Sequence, residues 1–285
     1  MKSATTFPES LPGIIDSHAH TWDKELHNDH SAVLERSWSA GLSAIIEVGV
    51  DLKTSRQAAE LADQDPRIHA VAGLHPHEAK HLDTQKAELE QLVADGDFVA
   101  VGEIGLDFFR NFSSPEEQER AFSWQLELAL EHSLPVVIHS READDATYEI
   151  LKAWASQVGR YLPRTKQGDE RPIGMLHCFS GDSALAQRYL ELGFLISIPG
   201  TVTYPSKGTN KNRGQDVAQS IPLTGMLLET DCPYLTPVPH RGYRNEPALV
   251  VETARFVAQL RGEQPEIVAN VTADNARVLF DITTT

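Results

Sequence analysis

Two histidines one residue apart, His18 and His20, end the short apolar run that begins Ile14-Ile15. On a strand, side chains alternate faces, so both imidazoles leave the same side of one rigid element. A pair held that way is half of a metal site. Taken alone it fits equally well two polar residues on an exposed strand face. Five further metal-capable side chains follow at or near the ends of other apolar runs: His75, Glu103, His139, His177 and Asp231. One such residue at a strand end is commonly a cap or a solvated edge. Seven in register point to a metal centre assembled from several strands.

A set like this needs a scaffold that brings strand ends together. Eight apolar runs occupy residues 13–20, 44–50, 70–76, 98–107, 135–140, 173–181, 194–200 and 226–233. Segments with helical spacing separate them. In 115–132, for example, Phe122, Leu126, Ala129 and Leu130 recur at three- and four-residue intervals. Ser114-Pro115-Glu116-Glu117 opens that helix with an N-cap, a first-turn proline and two acids at the positive end of the dipole. Strand–helix alternation predicts a parallel sheet covered by helices, and eight repeats close it into an α/β (β/α)8 TIM barrel. We expect one domain over residues 1–285. A doubly wound open sheet is the other architecture, but no Gly-x-Gly-x-x-Gly or Walker loop follows any strand. In a barrel all seven residues would face one mouth, at the C-terminal ends of the strands.

Composition narrows the function. Apolar residues make up 41% of the 285, ample for a large core. The formal net charge of −16 argues against broad binding to duplex nucleic acid, though not against an anionic strand end held by metal ions and local arginines. Residues 1–12 lack the basic and apolar regions of a secretory signal, and no apolar run approaches the ~20 residues that cross a bilayer. With only Cys178 and Cys232, no disulfide framework is expected. These features predict a cytoplasmic monomer with no membrane contact and no obligate protein partner.

The chain resembles the TatD family of metal-dependent deoxyribonucleases, within the amidohydrolase-like barrel superfamily. The matching phrases are Asp16-Ser17-His18-Ala19-His20, Gly73-Leu74-His75-Pro76, Gly102-Glu103-Ile104-Gly105-Leu106-Asp107 and Val137-Ile138-His139-Ser140-Arg141. They continue with His177-Cys178-Phe179-Ser180-Gly181, Glu229-Thr230-Asp231-Cys232-Pro233-Tyr234-Leu235-Thr236-Pro237 and His240-Arg241-Gly242-Tyr243-Arg244-Asn245-Glu246-Pro247. They span residues 14–247 in the family's order, and Asn275 fits its closing helix. The main departure is a longer polar stretch at 160–172, read as a surface loop.

The resemblance implies two divalent metal ions. His18, His20, Glu103 and Asp231 would hold one, and Glu103, His139 and His177 the other, with Glu103 bridging. A barrel-interior salt bridge is the plain alternative for Glu103. The ions would activate a water, and Asp231 would take its proton and pass it on. Four imidazoles with two carboxylates suit Zn, Mn, Co or Ni better than Mg, whereas the family's nuclease activity is associated with Mg. Zn or Mn is expected to bind tightest and Mg to support activity at millimolar levels.

With both ligand shells filled, His75 is assigned to hydrogen-bonding the substrate phosphate or leaving group. A satisfied histidine in a turn is the alternative. Asp16 and Glu229 share parity with His18 and Asp231, so they are expected one layer deeper, either orienting the ligands or pairing as buried charges. The same parity sends Cys178 and Cys232 toward the helices as packing residues. Arg141, Arg241, Arg244, Lys207, Lys211 and Arg213 lie on loops above the metals and would draw an anionic substrate; Tyr204 and Tyr243 could stack a base. The favoured function is an exonuclease acting on single-stranded DNA or strand ends. A lactonase, a phosphotriesterase and a D-aminoacyl-tRNA deacylase use the same scaffold logic, and an inactive metal-binding scaffold is disfavoured by the intact ligand set.

Overall fold

Burial on both faces makes near-continuous apolar strands pair in parallel, and eight such strands dominate the computed structural model, which describes residues 6–206 and 212–283. The strands are β1 (Ile14–Ala19), β2 (Leu42–Val48), β3 (Ile68–Ala72), β4 (Ala100–Asp107), β5 (Val136–Arg141), β6 (Tyr161–Leu162), β7 (Arg171–Pro172), β8 (Gly174–Leu176), β9 (Phe194–Ile198) and β10 (Met226–Leu228). All except β6 and β7 form one parallel sheet in chain order. A parallel bridge between Ala19 and Cys232 joins its two ends into a barrel. Helices α1 (His30–Ser39), α2 (Leu52–Gln64), α3 (Leu82–Asp95), α4 (Pro115–Glu131), α5 (Asp144–Val158), α6 (Ser183–Leu192), α7 (Arg213–Ser220), α8 (Val250–Arg261) and α9 (Pro265–Phe280) alternate with the strands. This is the (β/α)8 barrel expected from the alternation.

An apolar cluster seals the end of the barrel against α9. Ile15, Ala44, Ile46, Val71, Val137, Met175, Leu195 and Leu227 pack with Ala273, Ala276, Leu279 and Phe280 of α9 in one buried cluster. Asn275 fastens that helix by donating to the Leu223 and Met226 carbonyls at 2.7 and 2.8 Å. The 160–172 stretch is exposed over most of its length, as expected of a surface loop. Its ends pair as an antiparallel β6–β7 hairpin, and Arg171, buried, donates to the Leu279 carbonyl at 2.9 Å. Ser114 caps α4 as expected, and Glu117 completes a capping box with it.

Two ladders slip register where they carry candidate donors. The β1–β2 pairing shifts between Asp16 and Ala19, and the β4–β5 pairing shifts between Gly102 and Ile104, around Glu103. Such bulges re-aim side chains next to active sites. Gly105, at φ 139°, lets β4 press on β5: a Cβ there would collide with the carbonyl of His139. Beyond Leu176 and Leu228 the chain leaves the ladder, so His177 and Asp231 sit on the rim rather than within strands.

Candidate metal centre

Glu103 organises the centre by dividing its two oxygens. Oε2 lies 3.5 Å from His18 Nε2 and 3.7 Å from His20 Nε2. Oε1 lies 2.7 Å from His139 Nδ1, 2.8 Å from His177 Nε2 and 3.3 Å from His75 Nε2. Asp231 Oδ1 completes the first group, 3.5 Å from His20 Nε2 and 3.9 Å from His18 Nε2. Three sets of donor atoms gather within 4.8 Å: His18–His20–Asp231, His18–Glu103–His177 and His75–Glu103–His139. His18 Nε2 and His20 Nε2 stand only 3.1 Å apart, and His139 Nδ1 and His177 Nε2 only 3.2 Å. Nitrogen lone pairs converging on carboxylate oxygens in a buried pocket need a cation or shared protons between them. This donor set fits divalent metal.

The outward nitrogens decide which atoms face the centre. His20 Nδ1 donates to the Val48 carbonyl at 2.7 Å, which leaves Nε2 as the nitrogen that faces the other donors. His139 Nε2 faces Asp107 Oδ2 at 3.3 Å, which leaves Nδ1. His75 differs: its Nδ1 accepts from the His77 backbone N–H at 3.0 Å. Neutral His75 therefore keeps its proton on Nε2, the nitrogen turned toward Glu103, and is a hydrogen-bond donor rather than a lone pair.

Electrostatics sharpen these roles. Burial opposes the charge of Glu103, but His177 and His75, with hydrogen bonds from His139 and His177, hold it well below the usual carboxylate range. Burial, reinforced by the charge of His177, pushes His18 down to about 3. Burial also takes His75 down to about 4, so it is neutral. For His20 the hydrogen bond and charge of Asp231 outweigh burial and raise it to about 9. Asp107 and Glu103 do the same for His139, also to about 9.

Asp231 adopts φ 54°, a left-handed conformation that side chains adopt at a cost. Three hydrogen bonds hold it there. Its N–H donates to the His18 carbonyl at 3.0 Å, while Asp16 accepts from the neighbouring Thr230 N–H at 2.9 Å and hydroxyl at 2.5 Å. Asp16 thus clamps backbone and touches no imidazole, because the register shift breaks the alternation between it and His18. Glu229 accepts the Cys178 N–H at 2.5 Å and faces His177 Nδ1 at 3.9 Å.

Several expected residues land elsewhere. Arg244 is buried, not presented to substrate: it binds both Asp29 oxygens at 2.8 Å, Glu246 at 2.7 Å and the Glu25 carbonyl at 2.6 Å. Cys178 does not face the helices. Its φ of 46° breaks the alternation, and Asp231, Glu229, Glu103 and Arg141 are its charged neighbours. Cys232 is buried in the core as expected, and both thiols are free. Arg141 and Arg241 are exposed, stacked on Phe109 and Tyr204 at 3.9 and 4.1 Å from the ring centres. Tyr204 is half-buried, its hydroxyl donating to the Thr236 carbonyl at 3.0 Å; Tyr243 is exposed. Arg213 begins α7, exposed. Lys207 and Lys211 lie outside the described residues.

Sequence reasoning missed Asp107 and His77. Asp107, buried, accepts from His77 Nε2 at 2.8 Å as well as from His139. It stands four residues after Glu103 on the same strand, so period two placed it on the same face; that signal was there to be used.

A (β/α)8 barrel with imidazoles and carboxylates gathered at its C-terminal mouth defines a metal-dependent hydrolase. Residues 15–281 match the profile of the TatD related DNase family, and the chain belongs to that family. It is 38% identical over 262 residues to a Rahnella protein named 3′-5′ ssDNA/RNA exonuclease TatD, covering 90% of this chain and 94% of that one. An uncharacterized metal-dependent hydrolase TatD from Mycobacterium tuberculosis is 36% identical over 278 residues, covering 94% and 98%. The crystal structure of a TatD homologue from Escherichia coli superposes with a TM-score of 0.84 at 31% identity, over 95% of this chain and 98% of that one.

Proposed function

We propose that this chain is a two-metal phosphodiesterase that removes nucleotides from the ends of single-stranded DNA or RNA. The observation that carries this reading is the divided Glu103 carboxylate, with His18 and His20 on one oxygen and His139, His177 and His75 on the other. His18, His20, Asp231 and Glu103 would hold one ion; Glu103, His139 and His177 would hold the second. Ions bound there would polarise the phosphoryl oxygens and lower the pKa of a water, for which Zn, Mn and Mg are the candidates.

The remaining work falls to the chain's own residues. Asp231 is the one carboxylate of the set with appreciable exposure, 15% of its side chain, so it can receive the proton of the attacking water. It then returns that proton to the departing sugar oxygen. His75, neutral and protonated at Nε2, would turn that N–H from Glu103, 3.3 Å away, to a phosphate oxygen once Glu103 is taken up by the ions. Arg141 and Arg241 place positive charge at the mouth of a chain whose net charge is −16. That balance favours a strand end held locally over an intact duplex held broadly. Among the described residues no helix is long and apolar enough to cross a membrane. A single folded domain, acting as a monomer in the cytoplasm, completes the reading.

An end-labelled single-stranded oligonucleotide tests it, with metal-stripped protein resupplied separately with Mg, Mn and Zn and with Glu103→Ala as control. Stepwise shortening that needs both metal and Glu103 is expected. Metal-bound protein that shortens nothing but opens a lactone, a phosphotriester or a D-aminoacyl-tRNA ester would overturn it.

A further inference from the structure

Among the described residues, four of the five most exposed aromatics, Phe109, Phe112, Tyr234 and Tyr243, sit on loops that follow barrel strands at the mouth. The fifth, Tyr161, belongs to the β6–β7 hairpin. Phe109 and Phe112 stand together on the loop after β4, half-exposed at 50% and 54%. Large apolar rings on a loop tip cost solvation without return unless something covers them. Chain slack does not explain their exposure. The Arg110 N–H donates to Asp107 at 2.8 Å, and Ser113, buried, donates to the His77 carbonyl at 3.0 Å and accepts from the Lys80 N–H at 3.1 Å. The loop is pinned on both sides of the rings.

The same loop reaches the metal centre through ring contacts. Phe112 meets His77 edge to face at 4.9 Å; His77 holds Asp107, and Asp107 holds His139. Positive charge surrounds the rings. The Arg141 guanidinium lies 3.9 Å over Phe109 and has no carboxylate partner among the described residues, and Lys80 Nζ reaches the Phe112 carbonyl at 3.3 Å. Open aromatic faces flanked by unpaired cations, in a chain this acidic, match stacked bases joined by phosphates.

We infer that Phe109 and Phe112 form a base-stacking platform for the nucleosides next to the scissile phosphate, with Arg141 and Lys80 meeting the adjoining phosphates. The inference rests on the reading above as a nuclease and adds what selects a single strand. Bases already stacked within a duplex cannot lie on these rings, whereas any unpaired base can.

The test uses Phe109→Ala/Phe112→Ala and Phe112→Trp, with melting curves to confirm folding. One readout is fluorescence anisotropy of a labelled single-stranded oligonucleotide on metal-free protein in chelator, which reports binding without turnover. The other is KM with metal, for a normal oligonucleotide and for one whose terminal nucleosides are abasic. Removal of the rings should raise Kd and KM about tenfold or more on the normal strand. The tryptophan variant should retain affinity, and the abasic strand should not distinguish variant from unaltered protein. Unchanged Kd and KM in an unaltered nuclease, or equal losses on the abasic strand, overturn the platform alone. Unaltered protein that neither binds nor shortens the strand overturns both the platform and the nuclease reading.

Discussion

Asp107 Oδ2 lies 3.3 Å from His139 Nε2, on the opposite side of the imidazole from Glu103. A carboxylate there fixes the tautomer and raises the basicity of Nδ1, the nitrogen that faces the metal centre. Asp107→Asn can keep its one oxygen on the Arg110 N–H, now on Oδ1, but puts a neutral amide NH2 in place of the Oδ2 that meets His77 and His139. Metal affinity or activity should fall about 10–100-fold, the usual effect of losing such a partner. Titration of metal-stripped protein by calorimetry reads it directly. Unaltered affinity in the variant would show that Asp107 only supports the loop.

Asp231 is expected to separate metal binding from turnover. Its Oδ1 is 3.5 Å from His20 Nε2, but the other donors around His18 and Glu103 persist without its charge. Asp231→Asn should therefore retain metal while kcat falls about 10²–10⁴-fold, the contribution of a positioned acid–base group. Metal content by elemental analysis, beside single-turnover rates, separates the two effects. Near-normal turnover would remove Asp231 from proton transfer.

Much of this centre was legible because β1 and β4 present donors with strand periodicity and the barrel gathers strand ends. His18, His20, Glu103, His139 and His177 all converge as their positions implied. The failures at Asp16 and Cys178 share one physical cause, the loss of simple alternation. A register shift uncouples Asp16 from His18, and a left-handed residue turns Cys178 toward the mouth. Arg244 fails for another reason. Asp29 lies far away in sequence, and no local pattern announces that it and Glu246 will enclose the guanidinium.

Protons and metal compete for the same nitrogens, so affinity should depend steeply on pH. Pairing with carboxylates raises His20 and His139 to about 9 in the ion-free protein, above the unfolded value of 6.5. Their contribution to the ion-free fold is complete below pH 6.5 and is lost as pH rises through 9. Metal binding displaces those protons, so affinity climbs over the same window. The melting temperature of the metal-bound form should pull away from that of the ion-free form between pH 6.5 and 9. Calorimetry at pH 7 in buffers of different ionisation enthalpy should show net proton release. A binding enthalpy independent of buffer would contradict the assigned nitrogens.

Arg241 and Arg244 should behave oppositely although three residues apart. Arg244 is only 4% exposed and meets Glu246, fully buried, at 2.7 Å; Arg36 reaches the same carboxylate at 2.7 Å. Removing one partner of a buried pair strands the other charge and typically costs about 3–5 kcal/mol. Arg244→Ala should thus lower unfolding free energy by about that amount in urea titrations, with reduced yield and Tm. Arg241 rests on the Tyr204 ring at 4.1 Å, exposed, with no carboxylate partner among the described residues. Arg241→Ala should leave stability within about 0.5 kcal/mol, as surface changes usually do, and raise KM for an oligonucleotide severalfold. The KM effect should shrink as salt is added, because a guanidinium meeting phosphate is screened and an apolar contact is not. Equal stability losses in the two variants would assign Arg241 to the fold and leave Arg141 as the cation that meets substrate.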